Sequence, residues 1–287
     1  MYRASDGYPL QYRHWRPAGA PRGIVIALHG IQSHGGWYQY SCRRLAEEGY
    51  EVFFLDRRGS GLNARERGHA PHEDRLIADV RQFLLGLKWE RRHAPRCPLI
   101  LMGVSWGGRL AAACAATHPQ DFDGIALLYP GLYPRQRPTW RQRYQLEWAA
   151  AAGWGTYSVP IPLNDPALFS DSPTWQEFIR RDELALHRVT VDFLRANLRL
   201  GPRIEQRAAN ISCPVLMMLA GKDRIIDNAA NRGWLQRLSR TTATRLIEYS
   251  DACHTLEFEP RPEEFVGDLL NWLDDAVTGQ SPSHPDR

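Results

Sequence analysis

Residues 99–117 read LILMGVSWGGRLAAACAAT: an apolar run, a Gly-Val-Ser-Trp-Gly turn, then an alanine-rich run of helical character. A strand buried on both faces feeds directly into a helix, and Ser105 stands at the apex of the reversal in a Gly-x-Ser-x-Gly pentapeptide. That is the context in which a hydroxyl is presented on a strained turn as a nucleophile. Gly103 and Gly107 follow from sterics, because side chains there would press on neighbouring backbone and hide the hydroxyl. The helix also aims its positive end at negative charge developing beside Ser105.

The same alternation organises the first half of the chain. Two short strand-like pieces flank an Asp6-Gly7 turn, and a proline and glycine connector occupies residues 17–23. GIVIAL at 23–28 reads as a strand buried on both faces, ending at His29-Gly30. Residues 35–48 suit a helix with Trp37, Tyr40, Leu45 and Cys42 inward, and 50–55 form the next strand. DRRGSGLN at 56–63 is a glycine-punctuated loop in which Asp56, Arg58, Gly59 and Gly61 serve the loop's architecture. From 71 to 89, Leu76, Ile77, Val80, Phe83, Leu84 and Leu87 fall on one helical face. With a further buried strand at 124–128, right-handed crossovers give a parallel sheet carrying helices on both sides.

The rhythm breaks at Tyr129. Residues 131–205 are rich in tryptophan and proline, with helical pieces near 140–151 and 172–200 and no clear buried strand. It resumes with PVLMMLA at 214–220, a helix over 228–238, a strand over 244–249 and a helix over 262–277. The chain therefore divides into a core at 1–130, a helical cap insertion at 131–205, and the rest of the core at 206–287, whose polar tail from about 278 reads as disordered. The insertion is placed over the sheet's C-terminal edge, where open α/β sheets hold their ligands.

Composition narrows the setting. Of 36 basic residues only Lys88 and Lys222 are lysines, and the arginines are scattered among 32 acids, which argues against a nucleic-acid surface. Arg57-Arg58, Arg91-Arg92 and Arg180-Arg181 read as solvated faces. Five cysteines without metal-finger or C-x-x-C spacing imply a reducing compartment. The N-terminus has no signal-like apolar stretch, and no window approaches a membrane span, so a soluble cytoplasmic protein is expected.

A serine hydroxyl needs a base to take its proton and a carboxylate to orient that base. The order Ser, then acid, then His is met in the second half. Asp223 follows a buried strand directly; Asp227, four residues on, better suits an N-cap for the next helix. His254 lies in SDACHTLEF, just beyond the strand ending near Tyr249, in a loop at the same edge.

With these residues in hand, the chain resembles the α/β-hydrolase superfamily, specifically its monoacylglycerol lipase and lysophospholipase-like serine hydrolases. The matching segments are HGIQSHGGWY at 29–38, DRRGSG at 56–61, GVSWGG at 103–108, GKDRIID at 221–227 and CHTLEFE at 253–259. The resemblance implies an α/β-hydrolase fold, a triad of Ser105, Asp223 and His254, and an oxyanion hole made by the backbone amides of Ile31 and Trp106. It further implies hydrolysis of a small acyl ester through an acyl-enzyme, with neither cofactor nor metal. Where the lipases often carry Glu and His after the His-Gly pair, this chain has Gln32, Ser33 and His34, which puts glyceride specificity in question.

Acyl transfer and thioester or amide cleavage use the same three residues, and a ligand-binding protein on this fold is the rival from another class. Trp140, Trp148, Trp154, Trp175, Tyr144 and Tyr157 either line an acyl pocket or form a core within the cap. Alanines 149–152 with Trp148 and Trp154 also suit a transient contact with a lipid surface. Oligomeric state is not legible.

Overall fold

The computed structural model of the chain describes residues 1–238 and 242–278, so the tail read as disordered lies outside them from residue 279 onward. The first strands, β1 (Tyr2–Arg3) and β2 (Pro9–Leu10), pair with each other. The main sheet then collects β3 (Tyr12–Trp15), β4 (Gly23–Leu28), β5 (Tyr50–Leu55), β6 (Leu99–Val104) and β7 (Gly124–Leu128), interleaved with α1 (Gln39–Glu47), α2 (Glu73–Glu90) and α3 (Trp106–Thr117). The insertion supplies α4 (Trp140–Ala151), β8 (Ser158–Pro160), α5 (Pro173–Arg181), β9 (Arg188–Thr190) and α6 (Val191–Arg207). The chain closes with β10 (Val215–Ala220), α7 (Asn228–Leu238), β11 (Thr244–Tyr249) and α8 (Pro262–Thr278).

Seven strands lie in the order β11-β10-β7-β6-β4-β5-β3, all parallel except the edge strand β3, which runs antiparallel to β5. The unbroken apolar runs become inner strands because both faces are covered. On β4, Ile24, Ile26 and Leu28 pack into a core shared with α2 and α3, while Val25 and Ala27 pack into a second core shared with α1 and α8. Successive strands add outward from β4 on both sides, so the ends of β4 and β6 lie side by side where the winding direction reverses. A crevice outside the strand ends opens at such a switch point. No helix among the described residues is long and apolar enough to cross a membrane.

Four sequence expectations change. Residues 35–48 are not one helix: a 3-10 turn at Gly35–Tyr38 precedes α1, and its tighter winding leaves Tyr40 38% exposed while Trp37, Cys42 and Leu45 are buried. The helical piece at 172–200 is two helices, α5 and α6. Asp182 ends the first by turning its carboxylate onto the Leu184 amide, and the Thr190 hydroxyl caps the second by accepting from Phe193. Between them β9 pairs antiparallel with β8 and buries Val189, a strand pair too short to show as an apolar run. Arg57 and Arg58 are buried, not solvated: Arg58 pairs with Asp79 at 2.7 Å and Asp6 at 2.8 Å.

Helix α3 is buried on nearly every side, between the sheet, α2 and α6, which is why its sequence is rich in alanine and glycine. It lies so near β4 that a Cβ on Gly107 would run into the Leu28 carbonyl. Gly107→Ala is therefore expected to cost about 1–3 kcal/mol or more in urea unfolding, by overpacking against rigid backbone. An unchanged midpoint would contradict the close approach.

Candidate active site

Ser105 joins β6 to α3 with φ 50° and ψ −119°, a conformation L-residues rarely adopt. It persists because the neighbours fix it from both ends. The Ser105 amide donates to Leu128 O at 3.0 Å, and its carbonyl accepts from Gly131 at 2.7 Å and Gly108 at 2.9 Å. A Cβ on Gly103 would stand 2.6 Å from Gly108 Cα, so only glycine allows the strand to turn this sharply into the helix.

The structure brings Ser105, Asp223 and His254 together. His254 Nε2 lies 2.9 Å from Ser105 Oγ, and His254 Nδ1 lies 2.7 Å from Asp223 Oδ2. The carboxylate only accepts, so Nδ1 carries the proton and Nε2 is free to accept the serine's. Asp223 follows β10, and its other oxygen accepts from the amides of Ile225 at 2.7 Å and Ile226 at 2.9 Å. Burial pushes this carboxyl up, yet the His254 ring and the two amides outweigh burial and hold it below the usual carboxylate range. Asp227 lies elsewhere: it accepts from Ala230 at 3.0 Å at the start of α7 and stands 3.8 Å from Arg137.

The loop carrying His254 is braced from two directions. Glu259 accepts from the Cys253 amide at 2.8 Å, and Phe169 of the insertion accepts from the Thr255 amide at 3.0 Å. The rings of Tyr129 and Phe169 meet the imidazole edge-to-face at 4.9 and 5.8 Å.

Ile31, three residues beyond β4, lines the same cavity as Ser105, and Trp106 follows the serine as the first residue of α3. Trp106 opens its helix, so its amide has no intrahelical acceptor. The peptide that carries the Ile31 amide has its carbonyl, Gly30 O, held by His29 Nδ1 at 2.7 Å. Because the Arg57 amide donates to His29 Nε2 at 2.9 Å, the imidazole is neutral with its proton on Nδ1. Burial and Arg57 pull this histidine down to about 3.

Sequence reading missed Arg57 itself. Its guanidinium donates to Ile31 O at 2.8 Å and lies against the rings of Trp106 and Phe193, 4.8 and 4.9 Å from their centroids, while the two rings pack on each other at 5.2 Å. The doubled arginine after Asp56 was the only local sign, and the rings that hold it come from distant segments.

A cavity of about 10 Å³, room for one water, adjoins Ser105 and His254. Its lining is neutral or aromatic, including Gln32, Tyr38, Tyr129, Leu163 and Phe169.

Residues 19–261 match the serine aminopeptidase S33 family of hydrolases. The chain belongs to this family. It is similar to the monoacylglycerol lipase of Mycolicibacterium smegmatis, 26% identical over 268 residues that cover 93% of each chain. The monoglyceride lipase of Homo sapiens is 25% identical over 256 residues, covering 89% of this chain and 82% of that one. Among solved structures, the monoacylglycerol lipase of Paleococcus ferrophilus shares the fold with a TM-score of 0.79 at 23% identity, over 94% of this chain and 99% of that one. The protein is thus a serine hydrolase with the α/β-hydrolase fold.

The hydrolase carries one more titratable group close by. Glu257, buried, accepts from the Ser41 amide at 3.0 Å through Oε1, while Oε2 has no partner among the described residues. Burial pushes its carboxyl up to about 7, with the amides of Ser41 and Tyr40 opposing. The folded protein then keeps a proton that the unfolded chain, at the ordinary 4.5, has released. Stability from this proton is complete below about 4.5 and falls as pH rises toward about 7. Glu257→Gln is expected to raise Tm over wild type at pH 8 and to lose that advantage at pH 4.5; a pH-independent difference would refute it.

Proposed function

We propose that this hydrolase is a cofactor-independent esterase for small esters with an apolar acyl group, of the monoacylglycerol or lysophospholipid kind. The observation that carries the proposal is the unbroken relay from Ser105 Oγ through His254 to Asp223 beneath an uncharged lining. Ser105 attacks the carbonyl as His254 Nε2 takes its proton. Asp223 keeps the imidazole in the required tautomer and stabilises the cation. The amides of Ile31 and Trp106 hold the developing oxyanion, His254 returns the proton to the leaving alcohol, and water releases the acid by the same route.

The family name speaks of aminopeptidases, and an α-ammonium group needs a carboxylate to receive it. The aromatic and aliphatic lining over Ser105 favours an apolar acyl chain instead. The departures at 32–34 also find roles. Ser33 Oγ bonds Tyr38 at 2.9 Å, and His34 pairs with Asp182 at 3.0 Å. Gln32 Nε2, buried without a partner among the described residues, is a donor available to the alcohol portion of the ester. Five free cysteines, four of them buried, support a reducing, cytoplasmic setting.

Residues 131–205 serve in this reading as a cap, since Leu163 and Phe169 roof the cavity. The aromatics expected to line a pocket or fill a cap core do neither: Trp140, Tyr144, Trp148, Trp154 and Tyr157 are 55–73% exposed, and α4 has no buried residue. Trp175 alone of the set turns inward, stacking on Phe258 at 4.4 Å. An exposed aromatic ridge of this kind supports contact with a lipid surface.

Ser105→Ala is expected to cut kcat/KM on short nitrophenyl esters about ten-thousand-fold without moving the urea midpoint. Asp223→Asn should follow it closely and Asp227→Asn should not; retained turnover in S105A would end the proposal. For the ridge, replacing Trp148 and Trp154 by serine should abolish co-sedimentation with phosphatidylcholine vesicles. Unchanged sedimentation would remove the lipid-surface role.

A further inference from the structure

One turn beyond the nucleophile, Arg109 points away from Ser105 toward a second cavity of about 240 Å³, between the segment after β7 and helix α6. The residue is buried, and among the described residues no carboxylate pairs with it. Its Nη1 donates to the carbonyls of Leu132 at 3.0 Å and Gly131 at 3.3 Å, while Nε has no partner among them. Burial and the neighbouring Arg137 pull its pKa down only to about 10, so it is a cation at neutral pH. A buried charge held by carbonyls alone is costly unless an opposite charge meets it.

The helix facing it is shaped to fit. A Cβ at Gly201 would stand 2.7 Å from Arg109 Nη2, and Pro202 follows, so α6 places two poor helix formers side by side where it borders the cavity. Arg137 and Arg143 line the same space. The carboxylate there, Glu205, is already paired with Arg237 at 3.0 Å. Arg137 donates through Nε to the Pro134 carbonyl at 3.3 Å, lies over the Tyr133 ring and comes no nearer than 3.8 Å to Asp227, and the Arg143 guanidinium donates to the Pro138 carbonyl at 3.4 Å, so among the described residues neither has a close carboxylate.

Two neutral donors complete the lining. Asn197 Oδ1 accepts from Trp106 Nε1 at 2.9 Å, which leaves the Asn197 amide hydrogens to donate elsewhere. The Tyr133 hydroxyl accepts from Arg237 at 3.2 Å, which leaves its own proton to donate. Donors on five side chains outnumber the two oxygens of a carboxylate and suit an acceptor-only tetrahedral anion.

We propose that the cavity between Arg109, Arg137, Arg143 and α6 binds a phosphate group, either free phosphate, a small phosphate ester or a lipid headgroup. Gly131 links it to the nucleophile: its carbonyl accepts from Arg109 and its amide holds the Ser105 carbonyl at 2.7 Å. The readout is binding, so the test stands independently of ester turnover.

Inorganic phosphate should raise Tm of the full chain above chloride at equal ionic strength and give a saturable calorimetric isotherm. Arg109 also holds two carbonyls, so its replacement tests folding as much as binding. Arg143→Gln and Arg137→Gln, on more accessible side chains, carry the test: each should weaken phosphate binding about tenfold while the ligand-free Tm stays put. Retention on vesicles containing phosphatidate, released by glycerol 3-phosphate, assigns a headgroup. Retention no greater than on pure phosphatidylcholine, with phosphate still raising Tm, assigns a soluble ester, and either result sustains the site. A phosphate effect equal to that of chloride, or an affinity unchanged in R137Q/R143Q, overturns it.

Discussion

The steric demand of one residue, Ser105 at positive φ, governs much of what surrounds it. Such a conformation costs about 1–3 kcal/mol and survives only where neighbours over-determine it. Here Leu128, Gly108 and Gly131 grip the Ser105 peptide groups, which requires β7, α3 and the segment after β7 to converge on one point. Convergence in turn requires α3 to lie almost on the backbone of β4. That accounts for glycine at 107 and for an interior helix rich in alanine. Because α3 is pinned at its first turn, the direction of its next residues is set as well, and Arg109 is carried to the far side.

Much of this was legible because the signals are local. Strands buried on both faces announce themselves as short apolar runs, and the helix after residue 71 shows its face at the expected spacing. Ser105 and Asp223 could be picked out because each stands just beyond such a run, which also ranked Asp223 over Asp227, and His254 because its place in chain order, after the last strand, suits the base. What escaped depends on distant partners. Arg57 looked like a solvated charge; its neighbours, Ile31, Trp106 and Phe193, come from three other segments. The pairing of Ser158 with Thr190 spans the insertion and leaves no periodicity in three-residue strands. The aromatic residues of α4 misled because composition alone does not say which way a helix faces. Arg195 and Arg199 of α6 engage Glu147 of α4, while Trp148, on the same helix, stays outward.

The insertion meets the core through apolar packing, chiefly of α6 on α3, and through polar contacts grouped around the site. Asp182 takes Trp37 Nε1 at 2.5 Å and His34 at 3.0 Å, and the Leu186 amide donates to Gln32 O at 2.8 Å. These fix the residues that follow the His29-Gly30 turn, the same stretch that Arg57 steadies from beneath.

The Phe169 carbonyl that accepts from Thr255 belongs to the roof, and Thr255 is the residue next to His254. A displacement of Phe169 would therefore carry strain into the loop that aims the imidazole, so the ceiling of the chamber and the proton relay share one hydrogen bond and hold one geometry.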